Sequence, residues 1–261
     1  MENFRELVGG GYYDSNPNVP NAQWGILEEL YDNFIKDNDK SERIPKKIHQ
    51  IWIGNLPERQ EKLIPAIIKN HPGWEYKLWT NEDLENLPMV NRDLYNSLGN
   101  LGAKSDIARY EILFREGGIY LDSDFFMVKN FNSLIHNDFF TGVGQSNEPM
   151  VFNGLIGSSK NHRLIGIILD ELKKNWDGNT NLSIEGIMHF CGPYFFSKLF
   201  FDYIKNEKNE KIVVLPTPYF YSLPATERFN FQSGIDGKEE FIKSFATDNT
   251  ICTHLWFTSW Q

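Results

Sequence analysis

At 261 residues, with 41% hydrophobic and 15% aromatic residues, the chain can bury a sizeable core, which excludes general disorder. A formal charge of −9, from 26 basic against 35 acidic residues, argues against a nucleic-acid or anionic-membrane partner, because both reward basic patches. The 2 cysteines, Cys191 and Cys252, lie far apart in no ligand-type spacing, so free thiols in a reducing compartment are expected.

Residues 1–43 are polar and Asn/Asp-rich, with one helical pattern at Trp24, Leu27, Leu30, Tyr31 and Phe34. They predict an N-terminal helical extension packed on the outside of a main domain spanning residues 44–261. The first residues have neither a basic nor an apolar stretch, so no secretory signal is expected. The longest apolar runs, such as Leu164–Leu169, fall far short of the ~20 residues that span a bilayer. A soluble, cytoplasmic protein follows as the expectation.

After Pro45, the run Lys47-Ile-His-Gln-Ile-Trp-Ile53 predicts a buried strand, with Ile48, Ile51 and Ile53 inward and Gly54 as its stop. Residues 58–70 carry a helical pattern broken by Pro65. Trp74–Trp79 alternates and predicts the next strand, and Thr80-Asn-Glu-Asp83 predicts a helix cap. A long helix, Ala103–Glu116, ends at Gly117-Gly118, and the apolar run Gly117–Leu121 predicts a buried strand. Strands at Phe139–Gly144, Met150–Gly157 and Ile212–Leu215, and helices at Leu164–Trp176 and Pro193–Lys205, complete the pattern. The alternation is that of an α/β fold with a mostly parallel sheet, whose ligands bind at the carboxyl ends of the strands.

Asp122-Ser-Asp124 stands at such an end. Side chains two apart on a strand share a face, so two carboxylates are expected side by side with no basic residue immediately alongside. They repel unless a cation sits between them, and a hard divalent ion suits their oxygens. Asp alone is also a common turn residue. Asp106 and Arg109, three apart on the long helix, are either a surface ion pair or a polar hand for sugar hydroxyls. Trp52 is either core or a stacking plate for a nucleobase. His254 is either a satisfied core histidine or a third metal ligand, which would favour manganese over magnesium. Ser259 and Trp260 belong to an aromatic terminal segment expected to dock. Asn153-Gly154 and Cys191-Gly-Pro193 are hydrogen-bonding and tight-turn positions. Phosphate-loop, nucleophile-elbow and His-Glu-x-x-His motifs are absent from the sequence.

Four stretches together, Ile44–Gly54, Trp74–Trp79, Ala103–Tyr110 running to Gly117–Asp124, and His254–Trp260, resemble the DXD-motif glycosyltransferases of family 32. These are typified by initiating α-1,6-mannosyltransferases and are similar, more distantly, to the glucosylating domain of large clostridial toxins. The resemblance implies a GT-A fold, a Rossmann-like sheet flanked by helices with a C-terminal acceptor-side lobe. It also implies transfer of a hexose from a nucleotide-sugar to a glycan acceptor, with retention of configuration and a divalent cation, Mn2+ or alternatively Mg2+. UDP-hexose is the expected donor and GDP-mannose the alternative. Residue by residue, it puts Trp52 on the base, Asp106 and Arg109 on the donor sugar, and Tyr120 in the nucleotide pocket. Asp122 would touch ribose, sugar or metal, Asp124 and His254 would ligate the metal, and Ser259 and Trp260 would close over the phosphates. Asn153 and Cys191-Gly-Pro193 fall on the acceptor side. Leu255 and Phe257-Thr258 depart from the last motif, and Cys191 from the usual Thr-Gly-Pro turn. Fungal relatives carry an N-terminal anchor that this chain lacks, so a bacterial or viral type is expected. A protein-modifying toxin-like enzyme, a catalytically silent nucleotide-sugar-binding module and a metal-dependent phosphoesterase using the same carboxylates are the competing readings.

Overall fold

Strands β1 (Lys47–Ile51), β2 (Glu75–Trp79), β3 (Gly118–Leu121), β4 (Phe125–Met127), β5 (Phe139–Val143), β6 (Val151–Ser158), β7 (Ile212–Leu215) and β8 (Cys252–His254) build two sheets. The larger runs β2-β1-β3-β6-β5-β7, and the smaller pairs β4 with β8. In this computed structural model the described residues are 3–9, 21–144, 149–178, 182–207 and 209–257. β1 is parallel to β2 and β3, and β5 is parallel to β7. β6 runs antiparallel to both its neighbours, so the sheet is mostly parallel with one reversed strand. Every residue of β3, β5 and β7 is buried, as expected for strands covered on both faces.

The helix Leu101–Glu116 delivers the chain into β3. Asn100 caps it by accepting from the Ala103 N–H, and the Gly117 N–H closes its last turn on the Leu113 carbonyl at 2.9 Å. Gly117 and Gly118 both have positive φ, +63° and +98°. A Cβ on Gly118 would stand 2.7 Å from the Lys47 carbonyl, so the glycine pair turns the corner and lets β3 lie close against β1. Pro65 starts a second helix, Ile64–Asn70, rather than breaking one long helix, because its missing N–H is harmless in a first turn. Thr80 caps Asn81–Asn86 through a reciprocal box with Asp83.

β1 stops at Ile51, and Ile53 is only half-buried beyond it; the buried residues of the strand are Ile48, His49, Gln50 and Ile51. The N-terminal helix Asn21–Lys36 packs on edge strand β7. Its Trp24, Leu27 and Tyr31 are buried in the same apolar cluster as the sheet, together with Phe4. No helix among the described residues is long and apolar enough to cross a membrane.

Candidate active site

The chain leaves β3 at Leu121, so Asp122 and Asp124 lie in a turn between β3 and β4, not on a strand face. They come together for another reason. The Asp122 N–H still donates to the Gly154 carbonyl at 2.8 Å, holding the turn on β6. Gly154 leaves room beside the acid: a Cβ there would lie 2.8 Å from Asp122 Oδ2. On the other side, Gln50 Nε2 donates to the Asp122 carbonyl at 3.1 Å and Gln50 Oε1 accepts from the Tyr76 hydroxyl at 2.8 Å. A side chain from β1 thus replaces the ladder bond that β3 no longer makes.

β4 carries the chain on from Asp124, and its pairing with β8 sets Phe125 opposite His254. His254 Nε2 then lies 3.0 Å from Asp124 Oδ1 and 4.0 Å from Asp122 Oδ2. The segment beyond β8 wraps the same acid: the Leu255 N–H donates to the Asp124 carbonyl at 2.9 Å, and the Phe257 N–H to Asp124 Oδ2 at 2.7 Å. Trp256 between them adopts φ +59°, a strained conformation for a bulky residue, and this turn aims the Phe257 N–H back at Asp124.

Basic groups stand beside both acids, contrary to the expectation from their immediate sequence. Arg109 reaches Asp122 Oδ1 at 3.3 Å and Asp106 Oδ1 at 3.0 Å, and donates to the Asn153 carbonyl at 2.7 Å. The Asp106–Arg109 pair is therefore buried, not on the surface. Burial pushes the Asp106 carboxyl up to about 6 against the pull of Arg109, and raises Asp122 in the same way. Burial also opposes the charge on Arg109 and His254. The neighbouring carboxylates outweigh it and raise both groups. Asn153 Nδ2 donates to Asp106 Oδ1 at 2.8 Å and to the Tyr110 hydroxyl at 3.0 Å, so its amide holds the Asp106–Arg109 hand in place. Cys191 closes that corner, with its sulfur 3.8 Å from Asp106 Oδ2. The Tyr120 hydroxyl donates to Asp122 Oδ1 at 2.7 Å under the Arg109 guanidinium.

Both acids, Asp106, Arg109, Tyr120, Asn153 and His254 line one cavity of about 350 Å³ together with Trp52, whereas Gln50, Tyr110 and Cys191 are not on its lining. The Trp52 Nε1 is buried there without a partner. Of the sequence-predicted site residues, Trp52, Asp106, Arg109, Tyr120, Asp122, Asp124, Asn153 and His254 are brought to this cavity. Ser259 and Trp260 lie outside the described residues. Sequence reasoning missed Gln50, Tyr221 and Arg228. Arg228 sits in the 3-10 turn Ala225–Phe231, and nothing in that polar stretch marks it.

The side chains present fit a divalent cation. Donor atoms of Asp122, Asp124 and His254 lie within 4.8 Å of one another. His254 turns Nε2 to the acids, while Nδ1 is buried without a partner. Two carboxylate oxygens and an imidazole nitrogen are a donor set for a divalent metal ion.

Residues 57–141 match the family described as the glycosyltransferase sugar-binding region containing a DXD motif. Among curated relatives, inositol phosphoceramide mannosyltransferase 3 of Schizosaccharomyces pombe is 29% identical over 176 residues, which is 66% of this chain and 48% of that protein. Uncharacterized glycosyltransferase L373 of Acanthamoeba polyphaga mimivirus is 28% identical over 188 residues, covering 68% of this chain and 73% of that one. The chain thus spans about half the length of the fission-yeast relative. Among solved structures, the PaToxG glycosyltransferase superposes with a TM-score of 0.53 at 21% identity, over 70% of this chain and 80% of that one. The UDP-bound glycosyltransferase domain of the YGT toxin gives 0.51 at 11% identity, over 67% and 80%. The chain therefore has the GT-A fold and resembles, through residues 57–141, the DXD-motif glycosyltransferases.

Proposed function

We propose that the protein is a retaining, divalent-cation-dependent glycosyltransferase that moves a hexose from a nucleotide-sugar to a glycan acceptor. The convergence of Asp122, Asp124 and His254 with the Asp106–Arg109 pair in one cavity carries this reading. Asp122, Asp124 and His254 would hold the cation, which supplies neutralisation of the charge that develops on a diphosphate leaving group. Trp52 offers an indole face to the base. Asp106 accepts from, and Arg109 donates to, sugar hydroxyls, and these bonds strengthen as the ring gains oxocarbenium character. Each carboxylate lining the cavity among the described residues already has a basic partner: Arg109 for Asp106 and Asp122, His254 for Asp124. None stands free as a nucleophile below the ring. That supports attack from the leaving-group face: the acceptor oxygen bonds to the anomeric carbon, and the departing phosphate oxygen takes the acceptor proton.

The domain proper is assigned to residues 44–261, with 1–43 as a helical extension. The two buried free cysteines support a reducing, cytoplasmic compartment. The mannosyltransferase names of the fission-yeast relatives support mannose as the hexose, which keeps the GDP-mannose alternative open beside UDP-hexose. The test is manganese-dependent release of nucleoside diphosphate from a panel of UDP- and GDP-sugars, with Asp124→Asn as the control. Asn keeps an acceptor for the Phe257 N–H, so the melting temperature should hold while release falls ~100-fold or more. Wild-type turnover by Asp124→Asn would falsify the assignment, and binding of donors without turnover would identify a silent module.

A further inference from the structure

Charge within the cavity is unevenly matched. Its charged or titratable lining residues among the described ones include Asp106, Asp122, Asp124, Arg109, Arg228 and His254. Arg109 is committed to Asp106, Asp122 and the Asn153 carbonyl. Arg228 is not: no carboxylate among the described residues lies within ion-pair distance of it. Its neighbour Glu227 accepts from Asn230 Nδ2 at 2.7 Å instead. The guanidinium is exposed and rests 4.8 Å from the Phe229 ring, itself 61% exposed.

Three carboxylates against one committed guanidinium leave two negative charges with His254 neutral, and a divalent cation cancels them. A sugar diphosphate entering that neutral site brings roughly two more negative charges, since each of its two phosphates, substituted on both sides, keeps a single acidic oxygen that is ionised near pH 7. A further cation is needed, and Arg228 is the uncommitted one on the lining. Arginine suits the task because its planar fork meets phosphate oxygens through two parallel hydrogen bonds.

We propose that Arg228 is a phosphate-binding residue of this cavity, taking the donor's diphosphate. The inference rests on reading the cavity as a nucleotide-sugar site. Calorimetric titration with inorganic pyrophosphate at saturating Mn2+ tests it without any choice of base or sugar. Arg228→Gln should weaken pyrophosphate binding about tenfold, as expected for loss of one charge-assisted contact in a partly solvated site, with Arg228→Lys intermediate. Affinity for Mn2+ alone and the melting temperature should not move, and neither should pyrophosphate binding by Arg163→Gln, which removes an exposed arginine outside the cavity lining. Wild-type pyrophosphate affinity in Arg228→Gln overturns this role and leaves the cavity assignment standing. Failure of the wild-type protein to bind manganese pyrophosphate at all overturns both.

Discussion

At the scale of single residues, the site depends on side chains that never touch a substrate. Gln50 is 1% exposed and spans from the Tyr76 hydroxyl to the Asp122 carbonyl, bridging β2 and the turn that carries the acids. Removing its amide leaves the Asp122 carbonyl without this donor and the Tyr76 hydroxyl without its acceptor. Gln50→Met keeps the volume and loses both bonds. It should raise the Mn2+ dissociation constant about tenfold, at the low end of outer-shell effects on metal sites. Stability should drop by about 1–3 kcal/mol. Electron paramagnetic resonance of Mn2+ and thermal melting read the two effects separately; unaltered Mn2+ affinity would mean the turn keeps its shape without this clamp. Asp122 and Asp124 could be singled out because they follow the apolar run ending at Leu121, and His254 because the last motif resembles that of a known family. Gln50 and Arg228 could not. A glutamine in a buried strand is named functional only by what lies opposite it, and an arginine beside Glu227 only by the lack of an ion pair between them in the fold.

Individual elements were legible where one periodicity or one punctuating residue governs them. The Leu101–Glu116 helix, its glycine stop and the strands β2, β3, β5 and β7 follow from apolar spacing and from the Gly117-Gly118 corner. The pairing of β4 with β8 was not legible, because a bond between residues 125–127 and 252–254 is a tertiary choice with no local signal. The same holds for the acids, whose shared direction comes from a turn clamped on three sides and not from strand alternation. At the seam between β1 and β3, His49 is buried with both ring nitrogens engaged. The Trp79 Nε1–H donates to Nδ1 at 3.2 Å, so Nε2 carries the proton and donates it to the Gly117 carbonyl at 2.9 Å. A second proton would have no acceptor, and burial holds the group down at about 4 against 6.5 in an open chain. Between these pH values the unfolded chain binds the extra proton. The contribution is therefore whole above pH 6.5 and is lost as pH falls towards 4, by about 3 kcal/mol. In urea melts, His49→Gln should flatten the part of the pH dependence that falls in this window. An identical slope in the variant would assign the acid sensitivity to other groups.

For the whole molecule, the question is what holds residues 21–36 on the sheet edge. Two kinds of contact are present. The helix buries Trp24, Leu27 and Tyr31 against the main core, and Tyr31 also meets the Tyr219 hydroxyl at 3.0 Å. Just beyond it, Lys211 is bonded to Asp37 at 2.6 Å and Asp39 at 2.8 Å, and Arg43 to Asp138 at 3.2 Å. The ion pairs are partly open to solvent, so screening and side-chain entropy reduce their net effect. Burial decides the matter. Leu27 is 0% exposed, and Leu27→Ala should cost about 2–5 kcal/mol through lost apolar burial and the cavity left behind. Lys211→Met should shift the melting temperature far less, and 0.5 M salt should leave it nearly unchanged. If the salt or Lys211→Met lowered the melting temperature as much as Leu27→Ala does, the segment would be a charged strap laid over a finished domain. The expected order makes residues 21–36 the cover of edge strand β7, whose residues share one buried apolar cluster with Trp24, Leu27 and Tyr31.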